Sequence, residues 1–256
     1  MKTKTNWWAE FYEGTPFEEF LTRTNEKEVQ TTLDFLVDEL ELTPCARVFD
    51  QCCGFASIAL PLAQRGFTLV GVDLCEKYIK MAIEAAQRQQ SPAEFYCADA
   101  FSFVAQPQCD AAFNWYTSFG YSDSDAENIR MIERAYDSLK VGGKFALEFP
   151  NIAYLLKNFQ SEIRRTQESA AGTIEVLRQC AYLPEKGVMT QRWQYTMPEG
   201  KVIVKDTSLR LYMPHSIVEM FEQCHFKDVR VYADFNRGAV TLESPRCIFV
   251  GRKEGQ

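Results

Sequence analysis

Residues 46–73 constrain the fold of this chain more than any other stretch. A short apolar segment, Val48-Phe49-Asp50, stops at a cluster of small residues, Cys52-Cys53-Gly54-Phe55-Ala56-Ser57. Apolar residues then recur at helical spacing, and a second apolar segment, Thr68-Leu69-Val70-Gly71-Val72, ends on Asp73. The sequence therefore predicts a strand, a tight turn, a helix, a strand and an acidic residue, in that order.

Such a unit presents the backbone N–H groups of a helix N-terminus to a ligand and places a carboxylate at the end of the next strand. A carboxylate there can accept hydrogen bonds from both hydroxyls of a ribose, so the predicted ligand contains a nucleoside. A dinucleotide would require bare glycine backbone, where this chain has Cys52, Gly54 and Ser57. A pyrophosphate fits these positions poorly.

The pattern Asp50-x-Cys52-x-Gly54-x-Ala56 resembles motif I of the class I S-adenosylmethionine-dependent methyltransferases. Further resemblances follow in the order of that family over residues 46–150. They are Asp73 at the ribose-binding acid, Cys97-Ala98-Asp99-Ala100 at the adenine-binding element, Cys109 to Asn114 at the fourth strand, and Leu139 to Lys144 at the turn before the fifth.

The resemblance implies an α/β fold, with a Rossmann-like sheet, helices on both faces and an antiparallel β insertion after the fifth strand. Three stretches with strand character, separated by turn sequences, predict that insertion between residues 172 and 212. The implied domains are a helical lid at 1–43, a cofactor-binding domain at 44–160 and 213–256, and the insertion at 161–212. Helices are predicted at about 6–20 and 25–40.

The implied cofactor is S-adenosylmethionine. Its predicted contacts are Trp8, Tyr12, Asp50, Cys52, Gly54, Phe55, Ala56, Asp73, Leu74, Asp99, Ala100, Asn114 and Trp115. Trp8 and Tyr12 are predicted to lie in an N-terminal lid, where their aromatic rings would attract the sulfonium. Alternatively, the N-terminal aromatic residues belong to the hydrophobic core. Cys52 and Ala56 stand where glycine is commonest in the family, so we expect both in ordinary backbone conformations.

The methyl group of S-adenosylmethionine is already electrophilic, so the protein's contribution is in-line positioning and, where the acceptor needs one, a base. The candidate catalytic residues are Tyr116, after the fourth strand, and His215, whose alternative role is at the surface or in a cap. Tyr121 and Glu148 are further candidates for a base. The insertion could form a wall of the acceptor pocket or a surface for homodimer formation.

A formal net charge of −7 disfavours general attraction to nucleic acid or to anionic membranes. With no apolar run of membrane-spanning length and no apolar signal segment at the N-terminus, we expect a cytoplasmic protein without a membrane partner. The nine cysteines are scattered and predict buried thiols, and no metal site is expected.

The predicted function is methylation of a small-molecule acceptor at nitrogen, oxygen or carbon. A nucleic-acid or protein methyltransferase is one alternative. A catalytically silent protein that binds S-adenosylmethionine is the other, suggested by the altered motif I.

Overall fold

The computed structural model describes residues 6–12, 16, 26–169 and 171–255. Its helices are α1 Trp8–Phe11, α2 Glu26–Glu39, α3 Ala59–Gln64, α4 Glu76–Arg88, α5 Asp125–Asp137, α6 Ile152–Lys157 and α7 Pro214–Gln223. Its strands are β1 Arg47–Gln51, β2 Thr68–Asp73, β3 Glu94–Cys97, β4 Cys109–Asn114, β5 Leu139–Pro150, β6 Glu162–Ser169, β7 Gly172–Leu183, β8 Val188–Thr196, β9 Val202–Arg210, β10 Phe226–Tyr232 and β11 Arg246–Lys253. Within these ranges no helix is long and apolar enough to cross a membrane.

The chain divides into two compact units by its internal contacts. The larger comprises residues 26–119, 125–157 and 213–256, and the smaller comprises residues 1–25, 120–124 and 158–212. The larger unit therefore contains all of residues 46–73, the stretch that most constrains the fold. The predicted domain boundaries differ from this division mainly at residues 26–43, which were assigned to the lid and cluster with the larger unit. The predicted domains themselves stay a prediction.

A mixed seven-stranded sheet forms the larger unit, in the order β10-β11-β5-β4-β1-β2-β3. Strands β1 to β5 pair in parallel, whereas β11 runs antiparallel to both β5 and β10. The central strands β1, β2 and β4 are buried along most of their length, as is typical of parallel sheets covered on both faces. This confirms the predicted α/β fold.

Helix α2 buries its apolar stripe in the core of the larger unit. Leu33 and Leu36 are fully buried and belong to one cluster with Val48 of β1 and Phe113 of β4. The i, i+3 spacing of the two leucines puts both on one face of the helix, which explains the packing. The predicted helix at 25–40 is therefore confirmed.

The smaller unit contains an antiparallel sheet in the order β6-β7-β8-β9. Three of these strands were predicted, and β6 was missed. Its sequence, EIRRTQES, holds a single apolar residue because it is an edge strand that is mostly exposed. Hydrophobic alternation, the signal that reveals strands in a sequence, is therefore absent from it.

Helix α1 is a single turn in the same unit. Trp7 and Phe11 are buried, with the Trp7 ring 4.6 Å from that of Tyr121 and the Phe11 ring 6.0 Å from that of Trp193. Of the predicted helix at 6–20, the remainder falls mostly outside the described residues. The lid role of this segment stays a prediction.

The prediction that the cysteines are buried thiols was wrong at two positions. Cys45 and Cys97 are exposed, whereas Cys53, Cys75, Cys109, Cys224 and Cys247 are buried and Cys52 and Cys180 are half-buried. Cys45 lies in the loop before β1, and Cys97 is the last residue of the edge strand β3.

We expect Gly71→Ala to lower the free energy of unfolding by about 1–3 kcal/mol, the usual range for overpacking a core. A Cβ at this position of β2 would lie 2.6 Å from Cδ1 of Phe95 and 2.8 Å from Sγ of Cys53. Denaturant unfolding of the two proteins measures the effect. Since the clash is with the Phe95 ring, Phe95→Leu should partly relieve it, and equal costs in both backgrounds would contradict this explanation.

Candidate functional site

The loop between β1 and α3 runs through three residues in the left-handed backbone region. Cys52 and Ala56 both have φ of 66°, and Gly54 between them has φ of 54°. The expectation of ordinary backbone at Cys52 and Ala56 was therefore wrong. An L-residue in this region is strained by roughly 1–2 kcal/mol, and the surrounding structure must compensate.

Hydrogen bonds from β2 hold this loop in place. The Cys53 N–H donates to the carbonyl of Val72 at 2.9 Å, and the Gly54 N–H donates to Oδ2 of Asp73 at 2.8 Å. The other carboxylate oxygen, Oδ1, accepts from the Cys75 N–H at 2.9 Å. Asp73 therefore joins the loop after β1 to the turn after β2, and each of its oxygens keeps a further lone pair.

Asp50 and Asp73 form an acidic centre beneath the loop. Burial raises the pKa of the Asp50 carboxyl well above its usual range, and the charge of Asp73 adds to the effect. Burial also raises the pKa of Asp73, against the opposing N–H donors of Cys75 and Gly54. Among the described residues neither acid has a basic side chain in an ion pair, so a cation placed here would stabilise both carboxylates.

The strand order reverses beside β1, which lies between β2 and β4 in the sheet. Open α/β sheets bind ligands at the carboxyl ends of the strands at such a switch point. The loop, Asp73 and the turn after β3 all lie at these ends. In that turn Asp99 is exposed, and its Oδ1 accepts from the Phe101 N–H at 2.9 Å, while Ala100 is buried.

Two apolar predicted contacts flank this edge. Leu74, directly after Asp73, leaves 39% of its surface exposed, which is unusual for a large apolar residue at a strand end. Phe55 is half-buried, with its ring 5.9 Å from that of Tyr78 in α4. Both positions suit an apolar surface against which a purine packs.

At the end of β4, two predicted contacts are more deeply buried than the sequence suggested. Asn114 is fully buried and donates from Nδ2 to Oε1 of Gln51 at 3.1 Å, while its Oδ1 has no partner among the described residues. The Trp115 ring lies 6.4 Å from Phe235, nearly parallel to it, inside the core. The ring of Trp115 packs in the core, and its contact with the cofactor stays a prediction.

Tyr116 and Thr117 continue this loop with φ of 62° at both residues. The Tyr116 N–H donates to Oε2 of Glu148 at 3.0 Å, and Nε of Arg246 lies 3.6 Å from the other carboxylate oxygen. Burial raises the pKa of Glu148, although Arg246 and the Tyr116 N–H oppose the shift. Glu148 therefore fixes the backbone of the candidate catalytic residue Tyr116.

Three predicted residues remain, one in the larger unit and two in the smaller. His215 is exposed in the first turn of α7 and has no side-chain hydrogen bond or ion pair with any described residue. Tyr12 belongs to the smaller unit, where its hydroxyl lies 2.6 Å from that of Tyr121, and Trp8 is half-buried beside Trp7. Their roles in catalysis and cofactor binding stay predictions.

Two residues of the site were missed. Gln51 is buried and bridges the Asn114 amide to the carbonyl of Met131, at 3.0 Å from its Nε2. Ser118 is hydrogen-bonded to the thiol of Cys52. A polar residue at the end of an apolar strand is a signal that could have revealed Gln51, whereas Ser118 is distant in sequence and carries none.

Comparison with known proteins agrees with this geometry. Residues 48–143, which contain the loop, Asp73 and Asp99, match the family described as "Methyltransferase domain". The chain therefore contains a methyltransferase domain. It is 25% identical over 228 residues to the "Putative methyltransferase YqeM" of Bacillus subtilis (strain 168), covering 84% of this chain and 87% of the relative.

Two further proteins resemble this methyltransferase. The structure of the "sugar N-methyltransferase KedS8" from Streptoalloteichus sp ATCC 53650 superposes with a TM-score of 0.73 at 17% identity, covering 93% of each chain. The "23S rRNA (uracil(1939)-C(5))-methyltransferase RlmD" of Haemophilus influenzae (strain 86-028NP) is 40% identical over 92 residues, which are 35% of this chain and 20% of that protein. The sugar N-methyltransferase supports the fold over nearly the whole length of this chain, whereas the ribosomal RNA methyltransferase matches only about a third of it.

We expect Cys52→Gly to keep cofactor affinity and to leave the free energy of unfolding unchanged or raised by up to about 1 kcal/mol, because glycine relieves the positive φ. Gly54→Val should abolish binding, since a Cβ there meets no protein atom within 4 Å and would extend into the space of the ligand. Calorimetry with S-adenosylhomocysteine tests both variants. Loss of binding in folded Cys52→Gly would assign the thiol a direct ligand contact.

Asp50→Asn should raise the thermal midpoint of the ligand-free methyltransferase at neutral pH and weaken cofactor binding at least tenfold. The raised pKa means that the folded state holds the Asp50 proton more tightly than the unfolded state. The contribution of Asp50 to stability is therefore present at low pH and is lost as pH rises through the folded pKa. Asparagine removes this loss, together with the attraction for a cationic ligand.

The matching pH dependence of affinity is the check on this reasoning. In the wild type, affinity for S-adenosylmethionine should fall as pH drops through the raised pKa values, because protonation neutralises the carboxylates. In Asp50→Asn this fall should be smaller. A thermal midpoint lower than that of the wild type at neutral pH would contradict the assignment of Asp50 as an uncompensated buried charge.

Proposed function

We propose that this methyltransferase transfers the methyl group of S-adenosylmethionine to a small-molecule acceptor by in-line displacement. The observation that carries the proposal is the loop at Gly54, held to the Asp73 carboxylate by a 2.8 Å hydrogen bond at the switch point of the sheet. The space beside Gly54 is open, and both carboxylate oxygens can still accept. A nucleoside fits these features.

The residues at this edge suit the cofactor chemically. Asp73 would accept from the ribose hydroxyls, and Leu74, Asp99 and Ala100 would surround the adenine. The loop from Asp50 through Cys52, Gly54 and Ala56 would hold the methionine part. The sulfonium and ammonium groups of that part are positively charged. They would stabilise the Asp50 and Asp73 carboxylates, which have no ion pair with any described residue.

Bound S-adenosylmethionine supplies an activated methyl group, so the task of the chain is to orient the acceptor and exclude water. Tyr116 is the better placed of the two candidate catalytic residues. It lies at the carboxyl end of β4, and Glu148 fixes its backbone. His215 is exposed at the start of α7, where a surface or capping role suits it better.

A small-molecule acceptor has support from two sides. The sugar N-methyltransferase superposes over 93% of this chain, whereas the ribosomal RNA enzyme matches only 35% of it. The net charge of −7 also disfavours an RNA acceptor, because phosphate backbones bind basic surfaces. The methylated atom stays open among nitrogen, oxygen and carbon.

The test is calorimetric titration with S-adenosylhomocysteine of the wild type and Asp73→Ala. We expect affinity to fall tenfold or more, since charge-assisted hydrogen bonds contribute roughly 1.5–3 kcal/mol. Asp73→Ala also leaves the Gly54 and Cys75 N–H groups without their acceptor, so a structural control is needed.

Asp110→Ala is the matched control. Asp110 lies at the opposite end of the same sheet and likewise accepts a backbone N–H, that of Arg47, at 2.8 Å. Its removal should leave affinity unchanged. Equal losses in both variants would attribute the Asp73 effect to the fold, and absence of binding in the wild type would contradict the proposed function itself.

A further inference from the structure

The loop after β4 holds two consecutive residues other than glycine in the left-handed backbone region. Tyr116 and Thr117 both have φ of 62°. Residues branched at Cβ, such as threonine, adopt this region least readily. A conformation of this kind persists only where neighbouring residues impose it, so the contacts of the loop show which residues set its geometry.

A buried carboxylate fixes the start of this loop. Glu148 of β5 is 6% exposed, and its Oε2 accepts from the Tyr116 N–H at 3.0 Å. Its Oε1 lies 3.6 Å from Nε of Arg246. Among the described residues, Arg246 is the one basic side chain in an ion pair with Glu148, and it also lies 3.5 Å from the carboxylate of Glu28 in α2. Arg246 therefore supplies the counter-charge of the carboxylate that holds the loop.

The position of Arg246 is itself set by the fold. Arg246 begins β11 and is opposite Pro150 of β5. The segment before it is held by buried Asn151, whose Nδ2 donates to the carbonyls of Thr241 at 2.9 Å and Ser244 at 3.0 Å. The guanidinium therefore approaches Glu148 from a backbone that is fixed on both sides of it.

The other end of the loop contacts the predicted cofactor-binding loop. Ser118 is hydrogen-bonded to the thiol of Cys52, which has φ of 66° in the loop between β1 and α3. Tyr116 lies shortly before Ser118 in the same loop, so a displacement of its backbone would reach Cys52. The ion pair of Arg246 with Glu148 is thereby coupled to residues that are predicted to hold the methionine part of the cofactor.

We propose that Arg246 is a positioning residue for methyl transfer. It keeps Glu148 in place as the acceptor of the Tyr116 N–H and so maintains the loop after β4 against the cofactor-binding loop. Arg246 acts through Glu148 and not by contact with the reacting atoms. The inference rests on the proposed function, because it takes the loop at Cys52 to bind the cofactor.

The charges around Glu148 give this role a pH dependence. Burial raises the pKa of Glu148, the Arg246 charge and the Tyr116 N–H lower it, and the charge of Glu28 raises it. The neighbouring thiol of Cys247 stays neutral, because burial raises its pKa to about 12. A protonated carboxyl accepts a backbone N–H less strongly than a carboxylate does. Without Arg246, Glu148 takes up its proton at higher pH, and the hydrogen bond to Tyr116 weakens there.

The test combines NMR-detected hydrogen exchange at the Tyr116 amide with calorimetric titration of the full chain by S-adenosylhomocysteine, both from neutral to mildly acidic pH. The pH at which the amide loses half of its protection, the protection midpoint, should rise by about one unit in Arg246→Gln. Affinity at neutral pH should fall about fivefold, as for the loss of one ordinary hydrogen bond. Exchange is the decisive readout of pH, because Asp50 and Asp73 also affect the pH dependence of affinity.

Further variants separate this role from a purely structural one. Glu28→Gln removes the charge that opposes ionisation of Glu148, so the protection midpoint should shift to lower pH. Arg246→Lys, which keeps the charge, should restore most of the affinity. Arg252→Gln is the matched control, because it removes another arginine of β11, paired with Glu41 at 2.8 Å, and should change neither readout.

Two results would overturn the inference: the same protection midpoint in wild type, Arg246→Gln and Glu28→Gln, or equal losses of affinity in Arg246→Gln and Arg252→Gln. Thermal denaturation checks that each variant is folded, and Glu28→Gln decides the outcome if Arg246→Gln does not fold. Binding of S-adenosylhomocysteine with an unshifted protection midpoint overturns this inference alone, whereas failure of the wild type to bind it contradicts the proposed function.

Discussion

The organisation of the site depends on one carboxylate that accepts two backbone N–H groups. Asp73 ends β2, and its oxygens hold Gly54 in the loop after β1 and Cys75 at the start of α4. Because backbone donors buried without acceptors are costly, this carboxylate makes the two turns mutually dependent. The residue that is predicted to bind the ribose therefore also builds the loop that is predicted to face the methionine part of the cofactor.

The site stores unfavourable free energy in two forms, backbone strain and buried charge. Cys52 and Ala56 adopt positive φ, as do Tyr116 and Thr117 in the loop after β4. Asp50 is buried close to the charge of Asp73 and has no ion pair with any described residue. Such features persist only where the surrounding structure over-determines them, and they cluster at functional sites. A cationic ligand would relieve the cost of the buried charge. We therefore expect cofactor binding to depend on the protonation of the Asp50 and Asp73 carboxyl groups.

The two units are stabilised in different ways. The larger buries a continuous apolar cluster between its parallel strands and helices, including Leu33, Val48 and Phe113. Among its described residues the smaller has an apolar cluster of Ile174, Val176 and Tyr195, on which Trp193 stacks. The acidic residues of its four strands all lie on one face of the sheet.

The sequence by itself determined the strand–loop–helix–strand unit of residues 46–73, with the loop at Gly54 and the acid at the end of β2, because hydrophobic periodicity and small residues are local signals. Only the tertiary structure decided what is set by distant partners. The positive φ of Cys52 depends on hydrogen bonds from β2, and the burial of Asn114 depends on Gln51, 63 residues away. Strand β6 lacked an apolar pattern because an exposed edge needs none, and the placement of its acidic residues on one face of the sheet follows from the register of four strands.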